Sequence, residues 1–175
     1  NIRSRLSYDI FANYSCVDGL PQFINSGSDN ALSLIYSETD ILSLGIETGY
    51  ASKRLNGHAK FTYSFFNDNA DRPGNHYGYA PAELDLALEY NFRERIRIGT
   101  SINFRSETNL YDTRFSDPEC SSPSYINLGV NVTYRFNRNF SLYAKGENLL
   151  DQTIMHSPVY IEKGLCAGIG IIVKF

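Results

Sequence analysis

The sequence holds 175 residues, with 16 Lys and Arg against 19 Asp and Glu, for a net charge of -3. That length can bury one sizeable core, the mild acidity excludes the basic stripe of a nucleic-acid binder, and no run nears the roughly 20 apolar residues of a membrane helix. A membrane barrel escapes that last test, because its lipid face and lumen face average out along each strand.

Read in chain order, the sequence alternates. A first strand is expected near 1–15, where the alternation is weak, and "LPQFINSGSDN" after it reads as a loop. A strand is expected near 31–38, then a very short link "SETD", then a strand near 41–52, where Leu42, Leu44, Ile46, Thr48 and Tyr50 oppose Ser43, Gly45, Glu47 and Gly49. Further strands are expected near 57–67, 82–93, 94–106, 124–137, 139–149 and 164–175. In the fifth, Leu84, Leu86, Leu88, Tyr90 and Phe92 take one face and Glu83, Asp85, Ala87, Glu89 and Asn91 the other. In the last, Leu165, Ala167, Ile169, Ile171, Val173 and Phe175 form the apolar side. Period-2 stretches of about ten residues suit tilted strands that cross a bilayer. The expected fold is therefore all-β: about nine up-and-down antiparallel transmembrane strands. Residues 1–175 form a single barrel segment with no plug domain, and the absence of an apolar leader in "NIRSRLSYDIF" suits a processed or internal stretch.

The connections also alternate. "SKRLNG", "RER" and "NRN" are short, whereas "DNADRPGNHYGYAP", "SETNLYDTRFSDPECSSPS" and "LDQTIMHSPVYIEK" are long. Short periplasmic turns and long outer loops are the pattern of outer-membrane barrels, and "SETD" is its one exception. On this topology Cys120 and Cys166 lie toward the outside and Cys16 toward the periplasm; the thiols are either unrelated or include a Cys120–Cys166 disulfide. Aromatics gather at strand ends: Tyr50, Tyr90, Phe92, Tyr134, Phe136, Phe140 and Phe175 toward the short turns, Phe61, Tyr63, Phe65 and Phe104 nearer the other end. They read as two interfacial girdles. A lipocalin-like or sandwich protein alternates as well, with its apolar face in a core.

The polar parity carries Glu47, Glu83, Asp85, Glu89, Arg95, Arg97, Arg105, Arg135, Lys145 and Glu147. Acids on 82–93 face arginines on 94–106 across adjacent strands, which reads either as a structural charge ladder or as a substrate-lining wall. The cysteines and the scattered histidines have no zinc spacing, no glycine-rich phosphate loop occurs, and His156–Ser157 is a loop pair rather than a catalytic arrangement. No metal, no cofactor and no enzymatic activity are expected. Candidate ligand contacts are the outer-loop residues His76, Tyr77, Tyr111, Arg114 and His156.

The stretch "FSLYAKGENLLDQTIMHSPVYIEKGLCAGIGIIVKF" resembles the C-terminal end of TonB-dependent outer-membrane receptors. Asn148, Leu149, Leu150 and Asp151 match the motif that ends the family's penultimate strand, and Phe175 with the apolar positions behind it matches the end of the last. "LIYSETDILSLGIETGY" and "ELDLALEYNFRERIRIGTSINF" look like closing strands of Bacteroidetes-type members. The resemblance implies a 22-stranded barrel filled by a plug, of which this chain is the C-terminal part. It implies TonB-dependent uptake of a siderophore, cobalamin, glycan or peptide at the outer membrane. The implied partners are outer-membrane lipid, the plug domain, TonB and the barrel-assembly machinery, with Phe175, Val173 and Ile171 as the assembly signal. Two alternatives stay open: a self-contained eight-stranded outer-membrane barrel of structural or adhesive role, in which residues 1–30 do not span, and a soluble ligand-binding β-barrel.

Overall fold

The computed structural model describes residues 4–27, 31–68 and 76–174. It is all-β, with eight strands in one antiparallel sheet and two short hairpins set into the loops. The sheet contains β1 (Arg5–Ile24), β2 (Ser33–Ala51), β3 (Leu55–Asp68), β4 (Ala82–Phe92) and β5 (Ile96–Arg105). It continues, after the hairpin β6 (Thr108–Tyr111) and β7 (Glu119–Ser122), with β8 (Tyr125–Arg135) and β9 (Phe140–Glu147). The second hairpin, β10 (Met155–Ser157) and β11 (Tyr160–Ile161), precedes the last sheet strand, β12 (Cys166–Val173). Each sheet strand pairs with the next along the chain, in the order β1-β2-β3-β4-β5-β8-β9-β12. β1 and β12 stand at opposite ends of that order, and no pairing joins them among the described residues.

The register turns the alternation of each strand into two continuous faces. Ile10 pairs with Ile46, Ile46 with Phe61, and Phe61 with Leu84. Leu84 pairs with Phe104, which pairs with Ile126, and Leu142 pairs with both Tyr134 and Ile171. Directly paired residues share a face, so one side of the sheet is apolar across its width. It is also uncovered: Ile10 is 74% exposed and Ile169 76%. Tyr134 meets Phe136 edge-on and Phe136 meets Phe140 at a tilt at the short-turn end, with ring centroids 4.6 Å and 5.4 Å apart, and Tyr63 and Phe65 meet edge-on at 4.7 Å nearer the other. On the polar face the expected ladder forms, with Arg105 on Glu83 at 2.8 Å and Arg97 on Glu89 at 3.6 Å.

Eight strands stand where nine were expected. The stretch Ser37–Asp40 is strand interior, with Glu38 paired to Asp18, Thr39 to Val17 and Asp40 to Cys16. Glu38 and Asp40 occupy apolar-parity positions because β2 outruns the apolar belt: its 19 residues would extend about 60 Å at roughly 3.3 Å per residue, while a spanning strand needs about 9–11. With that link removed, connections alternate without exception between short (52–54, 93–95, 136–139) and long (25–32, 69–81, 106–124, 148–165).

β1 also outruns its expected end, since "LPQFI" is strand rather than loop. Gly19, at φ +98°, makes a bulge between Asp18 and Leu20. One extra residue reverses which side chains face which way. Beyond it Phe23, opposite Leu34, takes the apolar face, while Leu20 and Gln22 turn inward and are buried. The same extension corrects the position of Cys16. It lies opposite Asp40, past the middle of β1 and toward the long loops, not toward the short turns. Cys16, Cys120 and Cys166 are all free thiols.

Candidate functional site

The buried residues gather at the long-loop end: Leu20, Gln22, Asn25, Tyr77, Ala80, Leu110, Asp112, Ser122, Tyr125 and Ile154 among them. Three loops and the tip of β1 fold together there. Gln22 donates from Nε2 to Ser37 and accepts at Oε1 from the Tyr77 amide at 3.0 Å. The Gly78 amide donates to the Asn109 carbonyl at 2.9 Å, and the Tyr79 hydroxyl donates to the Pro21 carbonyl at 2.9 Å. Phe66 stacks flat on His76, with centroids 4.3 Å apart, and the Tyr77 and Tyr111 rings lie 5.5 Å apart.

Below these rings is a charged clamp. Asp112, fully buried, accepts from Asn25 Nδ2 at 3.0 Å and from the Arg114 backbone amide and Nε at 3.0 and 2.9 Å. Arg114 reaches on to the Pro158 carbonyl at 3.0 Å. The guanidinium holds the Asp112 carboxyl below the usual carboxylate range, against the opposing effect of burial. In the last loop His156 Nε2 meets Glu162 Oε1 at 2.6 Å, and the His156 ring stands edge-on to buried Tyr125 at 6.1 Å.

The motif Asn148–Asp151 shapes that loop. Asn148 and Asp151 both take positive φ, 48° and 49°, and the Asp151 amide closes a turn on the Asn148 carbonyl at 2.9 Å. The Asn148 side chain bonds both the carbonyl and the amide of Gln152, and Asp151 Oδ1 accepts from the Leu165 amide at 2.9 Å. The motif thus stops β9 and starts β12 by side-chain capping of the backbone. Under the loop, on the polar face, lies a cavity of about 570 Å³ whose lining includes Asn103, Asn127, Lys145, Glu147, Tyr160 and Lys163. Amides, a phenol and paired charges suit a polar, hydrogen-bonding guest.

All five candidate contacts, His76, Tyr77, Tyr111, Arg114 and His156, therefore lie in one loop assembly. Sequence reasoning missed the residues that hold them: Gln22, Asn25, Phe66, Asp112 and Tyr125. The available signal was Asp112 two positions before Arg114. Among the described residues, no group of three or more His, Cys, Asp or Glu is arranged to hold a metal ion.

An open, up-and-down antiparallel sheet with one bare apolar face and a loop-capped polar face is similar in fold to the barrels of TonB-dependent receptors. The chain belongs to the family described as "Putative MetA-pathway of phenol degradation", whose model matches residues 24–153. Similar solved structures are receptors and transporters. The copper transporter OprC is 16% identical with a TM-score of 0.70, covering 97% of this chain and 28% of its own. The ferric-catecholate import receptor Fiu of E. coli K12 is 14% identical at 0.70, covering 99% and 25%. The ferripyoverdine receptor of the Pseudomonas aeruginosa outer membrane is 14% identical at 0.71, also covering 99% and 25%. The chain spans about a quarter of the length of these proteins, which it resembles in fold. No curated protein matches it.

Proposed function

We propose that the chain is the C-terminal part of the barrel wall of an outer-membrane receptor that takes up a nutrient in a TonB-dependent way, and that it is not an enzyme. The observation that carries this reading is the pair of edges that, among the described residues, have no partner strand. β1 and β12 end an eight-stranded order that matches receptor barrels over nearly its whole length. In lipid an open edge leaves backbone groups without partners, so further strands from a larger barrel, 22 strands in the receptor pattern, complete the wall. The unpaired edges and the strand role of residues 5–24 disfavour a self-contained eight-stranded barrel. The bare apolar face disfavours a soluble one.

In this reading the apolar face contacts outer-membrane lipid, a plug fills the polar side, and TonB supplies energy. The Bacteroidetes-type assignment belongs to the same proposal, as does assembly by the barrel-assembly machinery through Ile171, Val173 and Phe175, the last outside the described residues. His76, Tyr77, Tyr111, Arg114 and His156 contribute the rim of the ligand site. The ligand itself is a siderophore, cobalamin, glycan or peptide. A second reading draws on the family description and on the rings of Phe66, Tyr77, Tyr79 and Tyr111: a barrel that admits phenol-like aromatics without TonB. Uptake assays in cells with and without a functional TonB decide between them. Receptor-dependent uptake that stops without TonB is expected; uptake that continues favours the aromatic channel. Recovery of the full-length protein in a soluble fraction overturns both.

A further inference from the structure

At the short-turn end of the polar face lies a second cavity, of about 600 Å³, remote from the loop assembly. Seven basic side chains line it: Lys53 and Arg54 from the β2–β3 turn, Arg93 and Arg95 from the β4–β5 turn, Arg97, Arg135 and Lys174. Among the described residues its only acidic lining residue is Glu94. Seven of the chain's 16 Lys and Arg thus converge in a protein whose net charge is -3. Arg97 is paired, to Glu89 at 3.6 Å, and Arg135 donates to the Glu94 carbonyl. Among the described residues Lys53, Arg54, Arg95 and Lys174 have no ion-pair partner, and Arg93 lies over the Phe92 ring at 5.1 Å.

The β4–β5 turn adds a second observation. Both of its central residues, Arg93 and Glu94, take positive φ, 50° and 59°. Asn-Gly or Gly-Gly ordinarily fills such a turn. Charged side chains are kept there against the backbone's preference, and strain of this kind clusters where a side chain has a task. All seven side chains are exposed, and a concentration of one sign on a concave surface attracts the opposite charge, so the basin suits an anionic occupant.

We propose that this basin is a docking groove for an extended, carboxylate-rich polypeptide segment. Its shape distinguishes a peptide from a compact anion. The cations are distributed across the strand order from β3 to β12, five neighbour spacings, or about 24 Å at roughly 4.8 Å each. A phosphate group engages one or two guanidinium groups, whereas an extended chain of about seven residues covers that distance at roughly 3.3 Å per residue. Guanidinium forks match carboxylates in pairs, and Asp or Glu at alternate positions of the segment would face the arginines together. The groove's chemistry is independent of which nutrient the barrel admits.

Zero-length carbodiimide coupling in the full-length protein, in detergent micelles, tests this by joining amines to carboxylates in contact. Peptide mapping is expected to find Lys53 or Lys174 coupled to one contiguous acidic segment outside residues 1–175, or, where the groove is open, to an added hepta-glutamate peptide. The Arg93→Glu/Arg95→Glu variant should lower the coupling at least tenfold, and Arg93→Lys/Arg95→Lys should retain it. If the double reversal prevents assembly, Arg54→Glu gives the same reading from the neighbouring turn. Failure of both lysines to couple, or coupling indifferent to charge reversal, overturns the proposal. So does displacement of the segment by inorganic pyrophosphate as effectively as by hepta-glutamate at equal charge, which would assign a small-anion site instead.

Discussion

Asn25 and Asp112, 87 positions apart, meet where Asn25 Nδ2 donates to Asp112 Oδ1 at 3.0 Å. The contact fastens the tip of the β1–β2 hairpin to the β6–β7 hairpin, and two backbone bonds flank it: Asn25 amide to Tyr111 carbonyl and Thr113 amide to Asn25 carbonyl, both 3.0 Å. Arg114 carries the connection on to the last loop. Asp112→Ala leaves the buried Asn25 Nδ2 without this acceptor and removes the carboxylate that Arg114 pairs with. The expected cost is about 3 kcal/mol of local stability, read as faster hydrogen exchange of amides 108–122 with the strands of the eight-stranded sheet unchanged.

The same carboxylate gives the loops a pH dependence. Its pKa is depressed, first by the hydrogen bond from Arg114. A depressed acid contributes its stabilisation in full above its unfolded value, near 3.9, and loses it as pH falls through the folded one. Loop protection should therefore stay level from pH 7 to about pH 5 and fall only below about pH 4. Asp112→Asn should abolish that fall.

The alternation of β3, β4, β5, β8 and β12 was legible because each of these strands keeps one unbroken parity. The far end of β1 and the continuity of β2 through residues 37–40 were not, for two physical reasons. Gly19 inserts a residue that reverses parity midway, so Leu20–Phe23 reads as irregular. Beyond the apolar belt the outward positions Glu38 and Asp40 no longer need to be apolar, so a strand interior looks like a turn. In the loops His76, Tyr77, Tyr111, Arg114 and His156 were visible as residue types, but their assembly depends on Gln22 and Asn25, residues of a segment that read as a loop of its own. Long-range pairs of that kind leave no periodic trace.

Gly19 offers a direct test of the bulge. A Cβ there would meet nothing closer than the Tyr36 ring at 3.9 Å, so space is available and φ +98° alone opposes a side chain. Gly19→Val should cost more than about 1 kcal/mol. It should also disturb Gln22 and so release the Tyr77 amide, seen as exchange at Tyr77 before any change at residues 84–104.

The thiols differ in the same geometric terms. Cys166 is exposed on the polar face and lines the cavity beneath the last loop. Cys120 is half-buried, its Sγ near the Leu110 carbonyl, and burial pushes its thiol pKa up. The thiolate is the reactive form. A water-soluble maleimide at pH 7 should modify Cys166 roughly tenfold faster than Cys120. A non-reducing digest should recover both as separate thiols; a Cys120–Cys166 bridge would contradict the arrangement.

Two adjacent residues decide which face meets lipid. Leu86 pairs with Ala59 and Ile102 on the apolar face, and Ile102 pairs in turn with Leu128, which places it in the middle of the belt. Ala87, the next residue, pairs with His58 and Ser101 on the polar face. An arginine at a lipid-facing midplane position costs about 2–4 kcal/mol, while one in the lumen meets water and polar neighbours. Leu86→Arg should lower the urea midpoint of the full-length protein folded in lipid vesicles by an amount of that order. Ala87→Arg, one residue along the same strand and introducing the same side chain and charge, should leave it within about 0.5 kcal/mol. The two arginines differ chiefly in the face they enter, so equal midpoints would mean that the apolar face does not meet the bilayer.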